Sequence, residues 1–134
     1  FIHAADLHLD SPFKGMTGMQ VDQLVRLRNS TFKAFERLIA HALQTQPDFV
    51  LIVGDIYDGE DRSLRAQLKF QEGMKKLDDA NIPVVISYGN HDHLGGRWTR
   101  FELPPNVHVF TEKVERVELN IRGEQVNVYG FSYN

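Results

Sequence analysis

Apolar and polar positions along this chain follow two rhythms in turn. Phe1 to Ala5 is a short apolar, β-compatible run that stops at Asp6. From Val21 to Leu43 the residues Val21, Leu24, Val25, Phe32, Phe35, Leu38, Ile39, Ala42 and Leu43 fall at three- and four-residue intervals, which predicts an amphipathic helix with one buried stripe. Gln46-Pro47-Asp48 ends it. The unbroken run Phe49 to Val53, between Pro47 and Gly54, predicts a strand covered on both faces. A second helix is predicted over Ser63 to Asp79 through Leu64, Leu68, Met74 and Leu77, capped by Asp61 or Ser63 and ended by Asn81 and Pro83. Ile82 to Ser87 is a third strand. Beyond Pro104-Pro105 the rhythm changes: Val107 to Phe110 predicts a short strand. The alternation Val117, Leu119, Ile121, the turn Arg122-Gly123 and the return Val126 to Tyr129 then predict an antiparallel hairpin. The loops Asp10 to Gln20 and His93 to Pro105 are the longest irregular stretches, and no repeat or linker interrupts the pattern.

The β-α-β-α-β order implies parallel strands joined by right-handed crossovers, so three strand ends meet at one edge of a sheet. A polar motif stands at each of those ends: Asp6-Leu7-His8, Gly54-Asp55-Ile56-Tyr57-Asp58 and Gly89-Asn90-His91-Asp92. Such a set can hold two divalent ions roughly 3.5–4 Å apart, an arrangement that clamps the attacking and leaving oxygens of an in-line displacement. Asp55 is the candidate bridging carboxylate, preceded by Gly54, whose missing side chain permits close approach. Asp6 and His8 alternate along an extended segment and so grip one ion together. Asn90 offers a neutral carbonyl oxygen to the other ion, and His91 stands beside the ions to stabilise or protonate the leaving oxygen. Any one of these motifs alone has an ordinary explanation in helix capping. The three in phase do not.

Composition narrows the chemistry. With 134 residues, 42% hydrophobic and 25% charged, the chain is expected to form a single domain, residues 1–134, with a real core. No apolar stretch approaches the roughly 20 residues of a membrane helix, and Phe1 to Asp6 lack the charged start and long apolar centre of a signal peptide, so the cytoplasm is the expected compartment. The absence of cysteine excludes disulfides and thiolate sites and leaves an O/N site for Mn, Mg, Fe or Zn. A net charge of -3 does not suggest a broadly basic, phosphate-gripping surface. Metal ions or a partner would have to supply positive charge to a nucleic-acid substrate.

At these three blocks the sequence resembles the calcineurin-like metallophosphoesterase superfamily, whose pattern of D-x-H, G-D-x-x-D and G-N-H-D/E is present without substitution. The wording Ala5-Asp6-Leu7-His8-Leu9-Asp10-Ser11-Pro12-Phe13 and Gly54-Asp55-Ile56-Tyr57-Asp58-Gly59 is most similar to bacterial DNA-repair exonucleases related to the nuclease subunit of the SbcCD complex. The resemblance implies a layered α/β/β/α sandwich, present here as its N-terminal portion, with two Mn ions and phosphodiester hydrolysis of DNA. It puts Asp6 and His8 on one ion, Asp55 between two, Asn90 on the other and His91 in catalysis, with Asp58 and Asp92 orienting ligands. It also brings an SMC-like ATPase subunit and a homodimer into the range of partners. The family's later His and its Gly-His-x-His block have no counterpart here. The expectation is therefore a truncated domain whose metals are weakly held and whose isolated nuclease activity is small.

The remaining candidates divide. His93, Arg97, Trp98 and Arg100 follow the third motif, where they could touch phosphate and stack a base; a solvated loop with Trp98 as a local lid is the competing reading. His3 is expected to be a packed core residue, His41 to suit a helix C-terminus, and His108 and Lys75-Lys76 to have no role. Three functions remain: DNA cleavage, hydrolysis of a small phosphomonoester or cyclic phosphodiester, and non-catalytic binding. The last fits poorly, since a scaffold has no need of so many gathered polar groups.

Overall fold

In the computed structural model, which describes residues 1–13, 15–58, 63–91 and 102–133, the apolar runs become β1 (Ile2–Ala5), β2 (Val50–Gly54), β3 (Val84–Tyr88) and β4 (Val107–Val109). The periodic segments are α1 (Val21–Thr45) and α2 (Leu64–Asp79), and the hairpin is β5 (Glu115–Ile121) with β6 (Glu124–Gly130). Strands β1 to β4 form one sheet in the order β1-β2-β3-β4, every neighbouring pair parallel. Its register aligns Ile2, Val50, Val84 and Val107 in one row. The carboxyl ends of β1, β2 and β3 consequently share an edge.

One face of the sheet is packed by both helices. Val50, Ile52, Val84 and Ile86 meet Phe32, Phe35, Ile39 and Ala42 of α1 and Ala66, Phe70, Met74 and Leu77 of α2 in a single cluster. Phe35 stacks on Phe70 with ring centroids 5.6 Å apart. The helices come this close because residue 73 is glycine: a Cβ there would lie 2.5 Å from Phe35 Cζ. Helix α1 ends at Gln46, which takes a left-handed φ of 49° and returns its N–H to the Ala42 carbonyl. Helix α2 is capped by Ser63, whose hydroxyl accepts the Ala66 N–H; Asp61, the other candidate cap, lies outside the described residues. The hairpin turns at Arg122 and Gly123 with φ of 53° and 83°, the paired positive values of a type I′ turn. The Arg122 guanidinium grips both oxygens of Asp48.

Several burial expectations are corrected. Strand β2 is fully buried on the helix face alone, since Val53 is 39% exposed and the hairpin covers only part of the other face. His3 is exposed rather than packed, because β1 turns Ile2 and Ala4 to the helices and His3 the other way. Val21 and Val25 at the start of α1 are exposed, and so are Leu64 and Leu68, which lie on the face of α2 opposite the buried Ala66 and Phe70. The last short strand, β4, joins the parallel sheet beside β3, so the antiparallel part begins only at β5. No described helix is long and apolar enough to cross a membrane.

Candidate metal centre

Chain pairing does not stop with strand β1. The N–H groups of Asp6, His8 and Leu9 donate to the carbonyls of Val53, Asp55 and Ile56 at 3.0, 3.1 and 2.9 Å, which carries the first motif alongside the second. Within this continuation Asp6 and His8 take left-handed φ values of 51° and 43°. They are therefore not alternate residues of an extended segment, as the sequence suggested. Two left-handed residues, an unfavourable conformation outside glycine, bring their side chains round instead. Asp6, His8 and Asp55 each place a ligand atom within 4.8 Å of the others, with Asp55 buried, His8 half-buried and Asp6 exposed.

Backbone groups hold both carboxylates. The Asp55 N–H donates to Asp6 Oδ1 at 3.3 Å, and the His91 N–H donates to Asp55 Oδ1 at 3.0 Å, a bond that ties the third motif to the second. Each carboxylate has further lone pairs to offer an ion. Two glycines leave room for this. A Cβ on Gly54 would stand 2.2 Å from Asp6 Oδ1, and one on Gly89 would stand 2.1 Å from Asp55 Oδ1. Sequence reasoning paired Gly54 with its neighbour Asp55 and gave Gly89 no part. The signal was a glycine placed before a ligand in both motifs.

His8 is oriented from behind. Its Nδ1 meets Asp58 Oδ1 in a short hydrogen bond; with Nδ1 as the donor, Nε2 is the ring nitrogen available to a metal ion. Burial raises the Asp58 carboxyl, but hydrogen bonds from Ser11 and His8 and the charges of His8 and His91 outweigh it and hold Asp58 below the usual value. Ser11 was given no role of its own, because helix α1 and strand β2 separate it from Asp58 along the chain. The His91 ring lies edge-on to His8 with centroids 6.3 Å apart. Asn90 sits exposed at the same edge, between Gly89 and His91. Asp92, His93, Arg97, Trp98 and Arg100 lie outside the described residues.

The sequence profile described as "Calcineurin-like phosphoesterase" matches residues 1–132. The chain belongs to that family. The structure agrees, with a mixed α/β fold whose parallel sheet corresponds to the N-terminal portion of the metallophosphoesterase architecture. Over 135 residues the chain is 44% identical to a Bacillus subtilis protein named "Uncharacterized metallophosphoesterase YhaO", covering 99% of this chain and 33% of that one. It is 36% identical over 91 residues to the "DNA double-strand break repair protein Mre11" of Aeropyrum pernix, covering 68% and 20%. With the protein of the same name from Methanocaldococcus jannaschii it shares 28% over 137 residues, covering 100% and 34%. The chain thus spans about a fifth to a third of the length of these relatives. Family membership supports phosphoesterase activity and divalent-metal binding. The donor set suits it, since two carboxylates and an imidazole without thiolate are the groups that hold Mn, Mg, Fe or Zn.

Proposed function

We propose that this chain carries part of the two-metal centre of a DNA phosphodiesterase. The observation that supports the reading best is the convergence of Asp6, His8 and Asp55 within 4.8 Å, at the edge where the His91 backbone is bonded to Asp55. Asp6 and His8 would hold one ion, Asp55 would serve both, and Asn90 would serve the second. Two divalent ions, Mn ahead of Mg, Fe or Zn, supply Lewis acidity to the phosphoryl group and acidify water. These four side chains are fewer donors than two ions take, so water, substrate oxygens or further side chains would complete the two shells.

The chain's own groups do the rest. Asp58 fixes the His8 ring with Nε2 forward. The backbone bonds to Asp6 and Asp55 pre-set both carboxylates, so little reorganisation remains when charge develops at the phosphorus. Asp55, by accepting the His91 N–H, fixes the backbone of the residue whose imidazole gives a proton to the departing oxygen. From the sequence of the third motif and the residues after it, the proposal gives ligand orientation to Asp92 and candidate substrate contacts to His93, Arg97, Trp98 and Arg100. DNA is favoured over a small phosphate ester by the wording of the first two motifs and by the relatives named for DNA double-strand break repair. A cytoplasmic setting, an SMC-like ATPase subunit and a second copy of the protein complete the proposal.

The test compares hydrolysis of single-stranded DNA, a cyclic nucleotide and an aryl phosphodiester by the native protein with Mn²⁺, wild type against His91→Ala. The expected result is preference for DNA and a rate loss of about 10²–10⁴ in the variant, with Mn²⁺ binding retained. A preference for the cyclic nucleotide would move the substrate to the small-ester class. Unchanged rates in His91→Ala would remove the catalytic assignment.

A further inference from the structure

Beyond the metal-binding residues, the structure holds one more buried carboxylate at the end of the first motif. Asp10 is 5% exposed and has a left-handed φ of 61°, the third such residue in the five that run from Asp6. Its side chain is bonded at both oxygens. Oδ1 accepts the Arg28 Nε–H at 3.0 Å, and Oδ2 accepts the Ser63 hydroxyl at 2.5 Å. Its own N–H donates to Thr31 Oγ1 at 3.0 Å, while that hydroxyl donates to the Arg28 carbonyl at 2.8 Å. Ser63 meanwhile accepts the Ala66 N–H at the start of α2. One carboxylate therefore joins the loop that bears Asp6 and His8 to the flank of α1 and to the cap of α2.

Asp6, His8 and Asp10 each occupy a conformation that costs of order 1 kcal/mol or more outside glycine. Such a loop persists only where its surroundings over-determine it. On one side the backbone bonds to Val53, Asp55 and Ile56 do this, together with Leu9, which is 1% exposed. On the other side stand Asp10 and its neighbour Ser11, which bonds the His8 carbonyl and Asp58; of the two, Asp10 alone is buried and reaches both helices. We infer that Asp10 is a positioning residue of the metal centre: by fixing the C-terminal end of the loop to Arg28, Thr31 and Ser63, it sets the backbone from which Asp6 and His8 reach the ions. The inference rests on the metal assignment above, and a buried carboxylate kept only for stability would not control ion affinity.

The experiment measures Mn²⁺ affinity of the native protein by titration calorimetry, with thermal unfolding in chelator as the stability control. Asp10→Ala should weaken binding by about 10- to 100-fold, the size of effect found when groups behind metal ligands are removed. Asp10→Asn keeps the shape and one acceptor but loses the charge, and should lie between it and wild type, at about threefold or more below wild type. Ile39→Val, which loosens α1 in the core away from the loop, should leave Mn²⁺ affinity within about twofold of wild type while lowering stability. If Asp10→Ala fails to fold, Asp10→Asn decides at the threefold level. Wild-type affinity in both Asp10 variants, or an equal loss in Ile39→Val, would overturn the positioning role. Absence of Mn²⁺ binding by wild type, or unchanged binding in Asp6→Ala, would instead overturn the metal assignment and this inference with it.

Discussion

Gly89→Ala is the sharpest single perturbation of the site. A Cβ at residue 89 would lie 2.1 Å from Asp55 Oδ1, 2.8 Å from its Cγ and 2.9 Å from its backbone nitrogen. Real Cβ contacts essentially never fall under 3.0 Å, so the carboxylate has to retreat by about 1 Å, against a tolerance for metal–ligand distances of about 0.2 Å. The backbone nitrogen closes the easy escape, because rotating the carboxylate alone does not relieve that third contact. The retreat also stretches the 3.0 Å bond from the His91 N–H. Gly89 does not need a positive φ, so alanine brings no backbone strain and would, absent the clash, stabilise the fold by about 0.4–1 kcal/mol. Loss of one well-placed ligand at this misfit should cost about 100-fold in Mn²⁺ affinity, or about 2.7 kcal/mol. Calorimetric titration with Mn²⁺ reads this, and circular dichroism in chelator confirms that the variant folds. A folded Gly89→Ala protein that binds Mn²⁺ within about threefold of wild type would refute the assignment of Asp55 as a ligand.

Two further variants separate orientation from packing. Asp58→Ala removes the acceptor at His8 Nδ1 and should weaken Mn²⁺ binding by about tenfold, measured by the same titration; an unchanged affinity would show that His8 needs no support. Gly73→Ala drives a methyl against Phe35 Cζ and Cε1, at 2.5 and 2.7 Å, and should cost about 1–3 kcal/mol of stability by overpacking. Its thermal midpoint should fall while Mn²⁺ affinity holds, since the contact lies between the helices and not at the sheet edge.

The elements were legible because periodicity reports which faces are apolar. Which of those faces are covered was not legible, for that depends on where a helix runs off the sheet. Leu64 and Leu68 sit at helical spacing yet are exposed, while Met74 and Leu77 are buried as expected, beside Phe70 and beside Ala66 and Gly73, which are too small to mark a stripe. At the site, motif spacing pointed to Asp6, His8 and Asp55 because polar residues following buried strands are conspicuous. It could not show the left-handed backbone at Asp6 and His8, which no local residue preference demands. Asp10 was hidden for a different reason. Its partners Thr31, Arg28 and Ser63 are 21, 18 and 53 residues away in sequence, and a hydrogen-bonded hub assembled from three elements has no pattern along the chain.

The most direct test of the central claim is an anomalous difference map from crystals of the native protein grown with Mn²⁺. The account predicts two peaks roughly 3.5–4 Å apart, one in contact with Asp6 and His8 and both in contact with Asp55. A map with no peak at Asp6, His8 and Asp55, or with Mn²⁺ bound only elsewhere, would contradict it.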